Sequence, residues 1–540
     1  MNYVEAVTSE TSTDEGSSRR EYDVVVVGGG HNGLVSAAYL SRAGLSVLVL
    51  ERLDHTGGAA VSAQAFAGHD TRLSRYSYLV SLMPERLMAD LGLDVALASR
   101  STASYSPWSR GGVDGGLLVE RPEGKKTRKS FLKLTGDDTE YDAWTQFYAG
   151  VGRLAEVVAP TLLEPLPTER EVRDRVDAEI WRDVVERPLG VTIEQRFRDD
   201  LVRGVVGTDA LIGTFASLHD PSLIQNRCFL YHLVGNGTGE WRVPVGGMGA
   251  VTDALARAAV EGGAEIITSA GVSAIRADES GAGGAEVTWD GGGRSHTVGA
   301  RFVLANVAPW VLGILLGGPE EPAAKPVGAQ LKINFLLDRL PELRSGRNPE
   351  VAFAGTLHLA EEYSRLETAY AEAAAGQVPS VLPGEVYCHS LSDPSILGAS
   401  DAGRHTLTYF GLHTPATLFD ADPGAAKAAA VTRAIAALNE HLVEPIETCV
   451  ARDADGNPCI EAKIPQEIEA DLAMPGGHIF HGDLDWPWAP NRARLDTPAQ
   501  QWGVQTGLDA VLLCGSGARR GGAVSGIGGH NAAQAVLAAR

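Results

Sequence analysis

Three observations predict an α/β protein whose principal domain is discontinuous. Residues 22–27 (YDVVVV) form a β-branched run, a glycine cluster and a small-residue helix follow, and a second apolar run ends at Glu51. The same succession of glycine-rich turn and small-residue helix returns near residue 245 and again at the end of the chain. Mixed, polar, helix-prone sequence lies between these stretches. Such alternation reads as one parallel-sheet domain that the chain leaves and re-enters, with an α+β domain inserted between visits.

Each element has its own reason. Residues 1–18 carry no Lys or Arg and are rich in Ser, Thr and Glu, which suits neither a signal nor a transit peptide; residues 1–20 are expected to be a disordered tail. The 22–27 run is continuous rather than alternating, as for a strand buried on both faces. Residues 34–43 (LVSAAYLSRA) read as a helix stopped by Gly44, and 46–50 (SVLVL) as a second buried strand. From about 100 to 225 the sequence is polar and helix-prone. VPVGGM at 243–248 leads into a helix over 249–262, short strands at 265–267 and 272–275, a hairpin reaching Thr297, and a strand at 302–305. The most apolar stretch, 309–318 (PWVLGILLGG), is too short to span a bilayer and reads as the start of a buried helix. Ala-rich helices are expected around 361–376 and 424–440, and 510–514 (AVLLC) closes the sheet. The expected division is 21–99, 228–310 and 496–540 for the nucleotide-type domain, and 100–227 and 311–495 for the inserted cap domain.

Composition bounds the function. The chain has 540 residues, with 46 Lys and Arg against 68 Asp and Glu, a net charge of −22. A field of that sign repels phosphate backbones, so nucleic acid is excluded as a partner. Charge alone disfavours anionic membrane surfaces but leaves a peripheral membrane contact open, and it says nothing of oligomeric state. Glycine accounts for 63 residues, above the usual share of about 7%, which directs attention to backbone-mediated binding. The five cysteines are odd in number and never spaced C-x-x-C. They read as buried small hydrophobes in a reducing cytoplasm, not as a disulfide framework or redox dithiol.

Gly28-x-Gly30-x-x-Gly33, after a strand and before a helix, matches the dinucleotide fingerprint in its required context and makes the domain Rossmann-type. The first glycine permits the turn, the second lets backbone approach a pyrophosphate, and the third lets helix and strand pack closely. The helix start, with its free N–H groups and partial positive charge, receives phosphates. Glu51 can accept hydrogen bonds from ribose hydroxyls and disfavours a 2′-phosphate. NAD and FAD are indistinguishable on this motif. Gly57 and Gly58, just past the acid, add a second backbone approach and favour FAD.

The stretch GGGHNGLVSAAYLSRAGLSVLVLERLDHTGGAAVS, followed by SRYSYLVSLMPE, resembles the phytoene-desaturase-like FAD oxidoreductases of the flavin amine oxidase superfamily. Later segments agree in order along nearly the whole chain: VPVGGMG at 243–249, LKIN at 331–334, GGHIFH at 476–481, LCGSGA at 513–518 and NAA at 531–533. The resemblance implies an α/β fold with a discontinuous Rossmann-type FAD-binding domain and an inserted α+β substrate domain. It implies FAD contacts at Gly28, Gly30, Asn32, Gly33, Glu51, Arg52, Gly57 and Gly58. Val272 would meet the adenine, Gly515 and Ser516 the ribityl-phosphate, and Val524, Ser525 and Gly526 the isoalloxazine. With no cysteine pair to relay electrons, a disulfide reductase is excluded.

Flavin carries the redox chemistry and the protein aims a substrate at it. Lys332, in the strand-like AQLKINFLL, puts a cation among apolar residues and resembles the superfamily lysine that holds a water against flavin N5. Tyr76, with its neighbours Arg75 and Tyr78, follows the pyrophosphate segment and is expected to face the flavin. His478 and His481 belong to a cavity wall or to the core, with Trp486 and Trp488 beside them; no metal is expected there. His31 supports the cofactor loop. Amine oxidases flank their substrate with aromatic side chains, one from the C-terminal flavin segment, yet residues 503–540 contain no Phe, Tyr or Trp. The expected activity is therefore dehydrogenation or desaturation of an apolar small molecule (polyene, terpenoid or lipid-like) by hydride transfer to flavin N5, with oxygen or a quinone as acceptor. The alternatives are an FAD-dependent double-bond isomerase without net oxidation, an amine oxidase, and an FAD-stabilised interaction protein without turnover. No Walker A, H-E-x-x-H or strand-borne G-x-S-x-G motif is present.

Overall fold

The computed structural model describes residues 21–278 and 283–540; the expected tail at 1–20 lies outside them. A parallel core of strands Glu21–Val27, Val47–Leu50, Glu265–Ile267, Arg294–Ala305 and Val511–Leu513 forms one sheet, extended by the antiparallel strands Ala285–Gly291 and Gly271–Ala277. Val24, Val25 and Val26 are wholly buried, with alternate valines in two different apolar clusters. That two-sided burial is why the run is continuous rather than alternating. Helices His31–Arg42, Met248–Glu261 and Ile527–Ala538 pack together against the sheet, their small residues letting the backbones approach. The fold is the predicted discontinuous α/β arrangement.

The second sheet is mixed and runs Ile460–Lys463, Leu331–Leu337, His405–Gly411, Gly384–Tyr387, Thr356–Leu359, Thr102–Arg110, Val113–Glu120. Neighbours are antiparallel except Thr356–Leu359 and Thr102–Arg110, which are parallel. In Leu331–Leu337 the side chains of Leu331, Ile333, Phe335 and Leu337 enter the apolar core of this domain. The period of two therefore turns Lys332 and Asn334 to the opposite face, toward residues 74–76. Helix Thr139–Val158 buries Trp144, Phe147, Val151, Leu154 and Val158, a 3,4 spacing that makes one continuous apolar stripe.

Three expectations need correction. The hairpin strand ending at Thr297 and the strand at 302–305 are one twelve-residue strand, Arg294–Ala305, antiparallel to Ala285–Gly291 through its first part and parallel to Glu21–Val27 through its last. The helix-prone region after residue 100 begins instead with the hairpin Thr102–Arg110 and Val113–Glu120. The 309–318 stretch does start a helix, Pro309–Leu315, but only Leu312 is buried in it. Among the described residues no helix is long and apolar enough to cross a membrane.

Candidate active site

The parallel strands end together, and the residues that follow their carboxyl ends line one cavity: Gly28 after Val27, Glu51 after Leu50, Asn306 after Ala305, and Ser516 beyond Leu513. Ligands of open α/β sheets bind at that edge. Helix His31–Arg42 starts there with Gly30 as N-cap and no side chain capping it. Gly28 has φ +99°, and a Cβ on it would stand 2.9 Å from the Asn306 carbonyl oxygen; a Cβ on Gly33 would stand 2.2 Å from the Gly28 carbonyl oxygen. Neither position tolerates a side chain. The Gly57 N–H donates to the Gly29 carbonyl at 2.9 Å, joining the second glycine segment to the first. The two oxygens of Glu51 accept from the Gly29 N–H at 2.7 Å and the Leu53 N–H at 2.8 Å, which fixes the carboxylate while each oxygen keeps a lone pair.

The cavity holds about 650 Å³ and continues from this edge into the inserted domain. Of the residues expected to contact a cofactor, Gly28, Gly30, Glu51, Arg52, Gly58, Val272, Ser516 and Val524 face it. Asn32, Gly33, Gly57, Gly515, Ser525 and Gly526 do not appear on its wall; they shape the turns beneath it. Asn32 is fully buried with both amide atoms lacking a hydrogen-bond partner. An orphaned buried amide beside a glycine cradle, an uncapped helix start and a fixed carboxylate fit a dinucleotide group.

Lys332 is buried, and its Nζ donates to the carbonyls of Ser74, at 3.1 Å, and Tyr76. It lies 4.6 Å from the Tyr78 ring centroid. Burial holds its pKa well below the ordinary lysine value, with Glu461 opposing. The two carbonyls occupy two of its donors, leaving one position on the nitrogen, which carries a lone pair in the free amine that burial favours. Tyr76 also lines the cavity, but its hydroxyl donates to Asp471 at 2.8 Å; burial and that carboxylate push its pKa up. Its contribution to Lys332 is the backbone carbonyl rather than the phenol. Arg75 does not reach this cavity: its guanidinium pairs with Glu461 on the strand beside Asn334. His481 lines the cavity with Nδ1 unpartnered, its pKa pushed down to about 3 by burial and by neighbouring histidines. His31 faces the same space, donates from Nε2 to the Ala523 carbonyl at 3.1 Å, and is pushed down to about 4 by burial.

Residues 26–85 match the family model for an NAD(P)-binding Rossmann-like domain. The chain is 52% identical over 531 residues to the uncharacterized protein Rv0897c of Mycobacterium tuberculosis, covering 96% of this chain and 97% of that one. It is 29% identical to mouse pyridine nucleotide-disulfide oxidoreductase domain-containing protein 2 over 97% of this chain and 94% of that one. The chain belongs to one family with that mycobacterial protein, and it is similar along nearly its whole length to the mouse relative. The fold agrees: a redesigned putrescine oxidase superposes with a TM-score of 0.57 at 18% identity, over 96% of this chain and all of the other. The word "disulfide" in the mouse relative's name has no counterpart here, since all five cysteines are buried and free.

The opposite wall of the cavity comes from the inserted domain. Arg100, Asp209, His358, Glu385, Tyr387 and Phe410 face the cavity together with Trp144, Tyr148 and Ile212. Tyr78 packs on Tyr387 at 4.6 Å between ring centroids. Sequence reasoning missed the polar members because they come from separate segments with no local motif. Asn306 it could have found: a polar residue directly after a buried strand, whose Nδ2 donates to the Gly28 carbonyl at 2.9 Å. His478, Trp486 and Trp488 are absent from the wall; Trp488 stacks with Trp486 at 5.1 Å and lies 5.2 Å from Trp181, packing rather than lining.

Proposed function

We propose that the protein is an FAD-dependent oxidoreductase that dehydrogenates an apolar small molecule, in the cytoplasm, passing electrons to oxygen or a quinone. The observation that carries this reading is the single cavity that joins the glycine cradle to an aromatic and aliphatic cap wall beside Lys332. Gly28, Gly30, Glu51, Arg52, Gly58 and Val272 would hold the adenosine and pyrophosphate part, and Ser516 and Val524 the flavin end. Bound FAD supplies a two-electron acceptor for hydride.

The chain's own residues divide the remaining work. Ile212, Phe410 and the rings of Trp144 and Tyr148 give the substrate an apolar bed and exclude water. Lys332 Nζ, biased by burial toward the free amine and held by the Ser74 and Tyr76 carbonyls, takes the proton from the carbon next to the one that loses hydride. His31 and His481 stay neutral around pH 7, so they add no charge beside an apolar substrate. The C-terminal segment offers Ala523 and Val524 to the cavity where an amine oxidase carries an aromatic ring.

A second reading has its own support: Asp209 and Glu385 on the cavity wall suit an ammonium group, as in an amine oxidase. Anaerobic mixing with a panel of terpenes, polyenes, fatty acyl compounds and mono- and diamines, followed by flavin absorbance, separates the two. Bleaching by alkenes or alkanes alone supports dehydrogenation. Bleaching by amines alone overturns it in favour of the second reading.

A further inference from the structure

We infer that His358, Glu361 and Glu385 form a binding site for one divalent cation of the zinc or manganese class, set against the cap wall of the cavity. Each offers one ligand atom, and these atoms lie within 4.8 Å of one another. The residues are 7%, 1% and 2% exposed, so this is an interior cluster and not a solvated acidic face. His358 Nδ1 stands 3.6 Å from a Glu361 oxygen and Nε2 3.7 Å from a Glu385 oxygen. An imidazole nitrogen with carboxylate oxygens is a donor set that zinc and manganese accept. The sequence points to no metal here, because the three residues fall on two strands and a connecting turn with no ligand spacing of their own.

A second observation points to the missing ligand. Neither oxygen of Glu361 has a hydrogen-bond partner, although the side chain is almost wholly buried. The hydroxyl of Thr208 stands beside it and favours its charged form, but makes no hydrogen bond of ordinary geometry. A buried carboxylate without donors is costly unless protonated or bound to a cation. Charge leads to the same place: the carboxyls of Asp209, Glu361 and Glu385 gather here, with Arg100 as the cation nearby.

The surroundings supply orientation. The Tyr387 hydroxyl donates to the second oxygen of Glu385, and Ser106 Oγ sits 3.3 Å from His358 Nδ1. Such outer partners hold ligands in place at metal sites. Tyr387 also packs on Tyr78, which lies under Lys332, so the cation would stand a few side chains from the proposed proton acceptor. There it can hold an oxygen-bearing end of a substrate whose remainder is apolar.

The test uses tag-free full-length protein carrying its own flavin. The protein is stripped with a chelator, dialysed against Zn²⁺ or Mn²⁺ and assayed by mass spectrometry of the metal; X-ray absorption then reads its ligands. The site predicts one equivalent per chain, nitrogen and oxygen ligands at about 2.0–2.2 Å, and at least a tenfold loss of affinity in Glu361→Gln and in His358→Asn. Failure of both ions to bind stoichiometrically would overturn it, leaving Glu361 as a neutral buried acid. Binding undiminished in folded variants, or an all-sulfur or all-oxygen ligand shell, would overturn it as well. If neither variant folds, the absorption spectrum of the wild-type protein decides alone. None of these readouts needs turnover or a flavin signal, so failure here is distinct from failure of the proposed function.

Discussion

At one end of the cavity the wall is backbone: Gly28, Gly30 and Gly58, the uncapped start of helix His31–Arg42, and Glu51 with both oxygens already bonded to loop N–H groups. At the other end the wall is side chains: Lys332, Glu385 and His358, buried and perturbed, and half-buried Asp209, with Glu361 behind them lacking hydrogen-bond partners. The first region binds by shape that only glycine permits, and its carboxylate is held in place by loop N–H groups. The second keeps polar groups under-satisfied, which costs stability and is tolerated where chemistry or ligands require it. Substitutions should therefore destroy structure at the first end and chemistry at the second.

The sharpest break is Gly33→Val. Its Cβ would sit 2.2 Å from the Gly28 carbonyl, and the strand–helix contact cannot open without moving the sheet edge. We expect a loss of about 3 kcal/mol or more, read as insoluble protein or a collapsed urea midpoint together with lost flavin. Lys332→Met should leave the fold and the flavin spectrum intact, because the new side chain matches the old stem in a buried strand. Substrate-driven flavin reduction should fall by roughly 10²–10⁴-fold, the usual worth of a positioned acid–base group, and stopped-flow absorbance checks it.

The third test is pH. Glu385 rises from 4.5 to about 8 on folding in metal-free protein, chiefly by burial. The folded state then holds more protons than the unfolded one between those values. Stability is greatest below the lower value and declines as pH rises through the upper one. Glu385→Gln should flatten that decline in urea titrations between pH 5 and about 8. The smallest effect is expected from Glu51→Ala, which strands the Gly29 and Leu53 N–H groups. At about 1–3 kcal/mol for such a loss, FAD should dissociate roughly 10–100-fold more readily, measured by fluorescence titration of the apoprotein.

The same contrast explains what the sequence discloses. The cradle is legible because its parts are contiguous: strand, glycines, helix and acid fall within residues 22–51, and each glycine answers a local steric demand. The cap sheet is not. In the hairpin after residue 100, Gly115 and Gly116 suggest a turn, yet they are strand residues that make room for the rings of Trp108 and Tyr105 across the pair. Only the partner strand reveals that. Lys332 is visible as a cation in an apolar run, but its partners, the carbonyls of Ser74 and Tyr76, lie about 250 residues away. Tyr76 shows the limit from the other side: its place near the site is readable, while the engagement of its hydroxyl by Asp471 depends on a distant helix.

The most direct test of the account is the visible spectrum of the purified protein under anaerobic conditions, before and after NADH or NADPH. The account predicts a bound-flavin spectrum that survives gel filtration and that neither nicotinamide bleaches, leaving reduction to an organic substrate. Rapid bleaching by a nicotinamide would contradict the dehydrogenase reading and point to a reduced-flavin isomerase. No flavin, even after reconstitution with FAD, would contradict the dinucleotide cradle itself.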